Sequence, residues 1–136
     1  MLTATTSPLG TQKAYLYVAV VSRYEGRLLL SRHAERATWE TQGGHIEPGE
    51  MPLAAARREL FEEAGAVAFT LTPVCDYSAA GTHGVFFFAD ITRLGPLPQS
   101  EMAEVQSFAA LPPPEQLTYP GITPVLFERA RGHFGA

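Results

Sequence analysis

Apolar and polar positions alternate in short blocks along these 136 residues. Tyr15–Ser22 (YLYVAVVS) is aromatic and β-branched and reads as a strand. The "YEGR" at 24–27 is a turn, and Leu28–Ser31 is the return strand. A polar stretch, "RHAERA", leads into "TWETQGGHIEPGE", whose Gly43-Gly44 and Pro48-Gly49 pairs ask for loop geometry. Pro52 at a first helical position opens a helix that runs to Ala64, and Gly65 supplies a left-handed stop. Val67–Val74 reads as a strand, "YSAAGTHG" as a loop, and Val85–Ile91 as a strand carrying three consecutive phenylalanines. "RLGPLPQSE" is a Pro/Gly loop, Val105–Leu111 a short strand, and the stretch from about Ile122 to Arg131 a closing helix. Residues 1–12 are polar and are expected to form a loose tail, leaving 13–136 as a single domain. Helices interleaved with short strands predict an α/β sandwich around a mixed sheet.

Composition changes this picture little. The chain is 46% hydrophobic and 18% charged, ordinary for a globular domain, and its net charge of −4 argues against bulk nucleic-acid or anionic-membrane binding. The single cysteine, Cys75, excludes an internal disulfide and a cysteine-based zinc cluster and fits a reducing compartment. The N-terminus lacks the apolar run of a signal peptide, and the longest apolar run, "AYLYVAVV", is far short of the roughly 20 residues that span a bilayer. A cytoplasmic location is the expectation.

The informative stretch is "RRELFEEAG", Arg57 to Gly65, which crowds Glu59, Glu62 and Glu63 into the end of the predicted helix. At about 100° per residue, Leu53, Ala56, Leu60 and Ala64 form the core stripe. The three glutamates fall on an adjacent arc roughly 100° wide, with small Ala55 in line one turn earlier. Each like-charge contact of this spacing costs about 0.2–0.5 kcal/mol. A carboxylate in the last turn loses about 0.3–1 kcal/mol to the helix dipole. Such residues are ordinarily a solvated surface. A divalent cation would reverse both penalties, and carboxylates at i, i+3 and i+4 can converge on one. Gly43 and Gly44 bring backbone close to the same place, with carbonyls for a hard cation and N–H groups for phosphate. Glu50 is suited equally to the site and to a helix cap.

Together these residues resemble the Nudix box, the signature of the Nudix hydrolases. From Gly44 the spacing runs to Glu50, then to Arg58-Glu59-Leu60, Glu62-Glu63 and Gly65, meeting every charged and glycine position. The departures are Ala66 for a bulky aliphatic and Gln42 where proline is more usual. The resemblance implies a Nudix α/β/α sandwich around a mixed sheet and hydrolysis, dependent on Mg²⁺ or Mn²⁺, of a nucleoside diphosphate linked to another moiety. It implies that Glu59, Glu62 and Glu63 are metal ligands, joined by a Gly43 or Gly44 carbonyl and by Glu50, directly or through water. Arg58 would hold the glutamates, and Glu101, or else Glu104, would be the downstream glutamate that shares general-base duty with the box.

Substrate choice lies outside the box. Arg32, His33 and Arg36 are candidate phosphate or base contacts, and Tyr77, His83 and Tyr119 are candidates to stack on a base. Members that clean 8-oxo-dGTP often carry two basic residues where Arg32-His33 stands, and an asparagine where this chain has Ile122 or Thr123. The proline expected in ADP-ribose hydrolases is replaced by Gly81-Thr82. The resemblance therefore implies a small nucleotide-type substrate without selecting one, and since Nudix proteins are often dimers it admits a homodimer. Two other readings remain: a non-catalytic nucleotide-binding or regulatory domain, and a diphosphate isomerase on a related scaffold, for which Cys75 would have to serve.

Overall fold

The computed structural model describes residues 1–135. Its strands are β1 (Ala4–Ser7), β2 (Tyr15–Tyr24), β3 (Arg27–His33), β4 (Gln42–His45), β5 (Ala66–Ala79), β6 (Thr82–Leu94) and β7 (Met102–Phe108). Its helices are α1 (Pro52–Ala64) and α2 (Thr123–Phe134). The sheet runs β1-β5-β6-β2-β3-β7, with β4 against β2. Only β2 and β6 pair in parallel, so the sheet is mixed.

Period-2 alternation in the central strands builds two cores. Val18 and Val20 of β2, with Val85, Phe87 and Ala89 of β6, face α1 and pack on Ala56, Leu60 and Ala64. Ala19 and Val21, with Phe86 and Phe88, face the other way, against Leu126 and Ala130 of α2. The run of three phenylalanines is thus divided between the two layers, which is the expected α/β/α sandwich.

Strand β2 forks. Along Tyr17–Val20 its free edge pairs with β4, and along Ser22–Tyr24 it pairs with β3. Gln42, where proline was the expectation, lies fully buried at the fork. It accepts a hydrogen bond from Ser22 Oγ (2.6 Å) and donates to Ser31 Oγ (2.9 Å) and to the Leu29 carbonyl (3.2 Å). Every polar atom of that side chain has a use, as burial requires.

Several elements differ from the sequence reading. Ala4–Ser7, inside the stretch expected to be a loose tail, pairs with Asp76–Ala79 along the open edge of β5. The segment after it is tied down by the buried Asp76, whose Oδ2 accepts from the Gln12 N–H (2.9 Å) and the Tyr15 hydroxyl (2.7 Å). The glycine-rich approach to the helix, expected to be loop, is strand β4, because β2 offers it an unpaired edge. The "YSAAGTHG" loop shrinks to Ala80-Gly81, both at positive φ, in a tight turn between paired strands. Strand β7 begins at Met102 and ends at Phe108, three residues earlier at each end than Val105–Leu111. Leu53, assigned to the core stripe, is 44% exposed: the buried arc is displaced toward Ala55 and Glu59, leaving Leu53 at its rim in the first turn. No helix among the described residues is long and apolar enough to cross a membrane.

Because Leu60 is fully enclosed between α1 and the sheet, Leu60→Ala is expected to cost about 2–5 kcal/mol. Urea unfolding measures this, and a loss below about 1 kcal/mol would mean that the helix does not seat as described.

Candidate active site

Helix α1 delivers its carboxylates because both ends are defined. Pro52 opens it, and Gly65, at φ +72°, returns its N–H to the Phe61 carbonyl. Between them Ala55 and Ala56 let the helix lie close over β4, so Glu59 is itself nearly buried. Gly44 makes room for it, and Gly43 lets β4 lie close against β2. A Cβ on Gly44 would lie 2.6 Å from Glu59 Oε1, and one on Gly43, at φ +153°, would lie 2.3 Å from the Val18 carbonyl oxygen.

Arg58 organises the cluster. Its Nε and Nη2 each donate to Glu50, both at 2.9 Å, in a bidentate pair. Nη1 reaches Glu59 at 2.7 Å and Glu62 at 3.4 Å, and Nη2 also donates to the His45 carbonyl at 3.1 Å. Glu47 lies 3.4 Å from Nε. These acceptors hold the guanidinium charged, its pKa raised chiefly by Glu50. In return, the Arg58 bonds and the Glu47 N–H hold Glu50 at a pKa of about 2.

Glu63 is treated differently. The Gly43 N–H donates to its Oε1 at 2.8 Å, and its main-chain carbonyl accepts from Ser31 Oγ at 2.8 Å. Burial, with Glu59, Glu40 and Glu101 nearby and only the Gly43 bond opposing, pushes its pKa up to about 8. Burial also raises Glu59, although Arg58 opposes it. The cluster is therefore a set of oxygen donors whose repulsion is only partly relieved. No three His, Cys, Asp or Glu side chains among the described residues form a preorganised metal cage. Even so, hard oxygen donors with unrelieved negative charge fit a hard divalent cation.

Two cavities meet at β4. One, of about 610 Å³, is lined by Glu47, Arg58, Glu59, Glu62, Gln99 and Ser100, together with Gly43, Gly44, His45, Glu63 and Glu101. The last five also line the second cavity, of about 550 Å³, which extends across the α2 face of the sheet. The structure thus brings together Gly44, Arg58, Glu59, Glu62, Glu63 and Glu101, and joins Glu50 to them through Arg58. Glu101 is 82% exposed and lies 3.6 Å from His33 Nε2.

The candidate substrate contacts divide. His33, Arg36, Tyr77 and Tyr119 line the second cavity. Arg32 and His83 line neither. Arg32 bonds Glu104 (3.2 Å) and the Arg36 carbonyl (3.0 Å), and His83 Nδ1 bonds Ser78 Oγ (2.7 Å). Tyr77 is buried with its ring against Tyr17, centroids 5.2 Å apart, so its face is not open for stacking. Cys75 is buried in the α2-side core, lines neither cavity and has its thiol pKa raised by burial, which leaves the isomerase reading without a site. Sequence reasoning missed Glu40, a nearly buried cavity residue 3.5 Å from Arg36, because its place in a polar lead-in resembled surface. It also missed Tyr17 as a lining residue, while Ile122 and Thr123, which stand where some family members carry an asparagine, do line the second cavity.

With this geometry in view, residues 14–129 match the family model described as the NUDIX domain, and the chain belongs to that family. YtkD of Bacillus subtilis (strain 168), to which its name provisionally assigns 8-oxo-dGTP diphosphatase activity, is 38% identical over 82 residues, 57% of this chain and 51% of YtkD. A MutT-like protein of Streptomyces ambofaciens is 42% identical over 62 residues, 46% of this chain and 38% of the relative. The chain thus spans about half or less of the length of these curated relatives. Among solved structures, the Bacillus subtilis pyrophosphohydrolase BsRppH (E68A mutant) superposes with a TM-score of 0.81 at 24% identity, covering 97% of this chain and 90% of that one. The NUDIX domain of Shewanella oneidensis NrtR, complexed with ADP ribose, gives 0.67 at 19% identity, covering 90% of each chain. These structures share the fold.

The raised Glu63 pKa has a consequence for stability. A carboxyl with a higher pKa in the folded state favours folding most fully below its unfolded value near 4.5, and this contribution is lost as pH rises through about 8. In cation-free buffer the melting temperature is expected to fall across that window. Glu63→Gln should reduce the slope without abolishing it, since Glu40 and Glu59 are raised as well. A variant as pH-dependent as the parent protein would contradict the assignment.

Proposed function

We propose that this chain is a pyrophosphohydrolase of the Nudix type, which hydrolyses a nucleoside diphosphate linked to a further group by attack of water at phosphorus. The observation that carries the reading is a crowd of oxygen donors, Glu59, Glu62, Glu63 and the Gly43-Gly44 backbone, around one cleft under the Arg58 clamp. A surface helix has no reason to hold a glutamate nearly buried with its pKa raised, or to keep a glycine opposite it. The names of YtkD and BsRppH point to the same class of phosphoanhydride chemistry.

In this reading Glu59, Glu62 and Glu63, with the Gly44 carbonyl and Glu50, would hold Mg²⁺ or Mn²⁺, which when bound would neutralise the pyrophosphate and acidify a water. Arg58 keeps Glu50 and Glu59 oriented through charge-assisted hydrogen bonds. Glu101 accepts the proton of the attacking water, a role supported by its exposure and its presence in the lining of both cavities. Arg36 and His33, which line the second cavity beside Glu40 and Glu101, bear on the substrate's phosphates. The substrate is a nucleoside triphosphate, an oxidised nucleotide or a related compound. A cytoplasmic location belongs to the same reading, supported by the lone buried cysteine.

Mg²⁺-dependent conversion to the products of phosphoanhydride cleavage, separated by anion-exchange chromatography, over a panel of dNTPs, oxidised dNTPs, NDP-sugars, dinucleoside polyphosphates and capped RNA, tests the activity. No turnover of any member would favour a nucleotide-binding module. Glu62→Gln and Glu63→Gln are each expected to lose at least ~10²-fold in kcat, and near-normal rates in both would remove the carboxylates from the chemistry. Saturating Mg²⁺ is expected to raise the melting temperature of the parent protein and not that of the double variant, because an ion that prefers the folded state stabilises it. A scan unmoved by Mg²⁺ in the parent protein would count against a folded-state site.

A further inference from the structure

Helix α1 ends on carbonyls that the helix itself cannot bond. The Phe61 carbonyl takes the Gly65 N–H (2.9 Å), and the Glu63 carbonyl takes the Ser31 hydroxyl (2.8 Å) from β3. The backbone of Ser31 is already committed. Its N–H donates to the Glu40 carbonyl (2.8 Å) and its carbonyl accepts from the Glu40 N–H (2.9 Å), so only the hydroxyl is left for the helix.

Gln42 decides which way that hydroxyl donates. Its Nε2 donates to Ser31 Oγ (2.9 Å) and to the Leu29 carbonyl (3.2 Å), while its Oε1 accepts from Ser22 Oγ (2.6 Å). A carbonyl can only accept, so the Leu29 oxygen fixes which end of the amide faces Ser31. The amide N–H then fills a lone pair of Ser31, and the single serine proton goes to Glu63. Donors run one way, from Ser22 through Gln42 and Ser31 to the last turn of α1. Ser22, Ser31 and Gln42 are each 0% exposed, so bulk water does not compete for these bonds.

This chain reaches Glu63 at two points. Gly43, the residue after Gln42, donates its N–H to Glu63 Oε1 at 2.8 Å. Arg58 bonds Glu50, Glu59 and Glu62, so the place of Glu63 depends on the β2 fork instead. A cation site binds tightly when the partners of its ligands hold them in place beforehand.

We propose that Ser31 and Gln42 are positioning residues, which act through Glu63 to set how tightly the carboxylate cleft binds a divalent cation. The proposal rests on the reading that Glu63 is a ligand of that cation. It gives the amide in proline's usual place a task beyond filling the junction.

Mn²⁺ alone, titrated into the full chain and followed by electron paramagnetic resonance of the free ion, tests this without substrate or turnover. Ser31→Ala and Gln42→Met are each expected to weaken Mn²⁺ binding about 10–100-fold, the scale on which partners of metal ligands act. Ser22→Ala removes an equally buried hydroxyl from the far end of the chain, where the Leu29 carbonyl still orients the amide. It should lower the melting temperature in cation-free buffer much as Ser31→Ala does, yet keep Mn²⁺ affinity near the parental value. Ser31→Thr, which keeps the hydroxyl, should also bind close to the parent protein. Parental affinity in both Ser31→Ala and Gln42→Met would overturn the proposal and leave the cation reading standing. An equal loss in Ser22→Ala would overturn it as well, since the chain would then serve stability alone. If Ser31→Ala does not fold, Gln42→Met set against Ser22→Ala decides in the same way. A parent protein that binds no Mn²⁺ would overturn the proposal and the cation reading together.

Discussion

Arg58 stands where Glu50, Glu59, Glu62 and the His45 carbonyl all present acceptors, and the cleft is built outward from that meeting. Repulsion between like charges on one helix face is worth about 0.2–0.5 kcal/mol per pair, and a hydrogen bond to a charged group about 1.5–3 kcal/mol. The clamp therefore outweighs the crowding that creates it. It also ties the loop after β4 to α1, since His45 and Glu50 flank that loop and Arg58 bonds both. Glu63 stands outside the clamp, with one backbone N–H for its carboxylate, and there burial pushes the pKa up to about 8.

The backbone beneath the carboxylates is held by the fork in β2. Once β2 divides its edge between β3 and β4, polar groups at the junction are buried and must find partners. Gln42 supplies them, joining Ser22, Ser31 and the Leu29 carbonyl, while Ser31 passes a hydrogen bond to the Glu63 carbonyl. Gly43 follows at once and binds the Glu63 carboxylate. A single glutamate is thus fixed at its main chain from β3 and at its side chain from β4, the two strands that meet at the fork. The amide substitutes for the usual proline by filling the junction with hydrogen bonds instead of a ring.

The carboxylate cleft was legible because its parts are close in sequence. Glu59, Glu62, Glu63 and Arg58 lie within two turns of one helix, and their relative directions follow from helix geometry once Pro52 and Gly65 bound it. The lead-in glycines needed only the steric argument. Elements that depend on a distant partner were not legible in the same way. Ala4–Ser7 is a strand because β5 has an open edge, and nothing in ATTS announces that. Leu53 is apolar and in phase with the core stripe, but the helix is seated toward Glu59 and leaves it outside. Glu40 and Arg32 are both polar residues of one lead-in, yet one is enclosed in the cavity and the other faces outward to Glu104.

What the sequence by itself determined is therefore local: the helix, its stops, the spacing of its acids and the need for backbone without side chains opposite them. Those follow from residue type and a fixed 3.6-residue period. The tertiary structure decided which charges are shared, which are stranded, and what lies beside them. Tyr77 shows the difference. In the sequence it is an aromatic residue near a loop, with a ring to offer. Packed against Tyr17 and enclosed among the core residues, it forms part of the cavity wall without an open ring face to offer, because burial consumed that face.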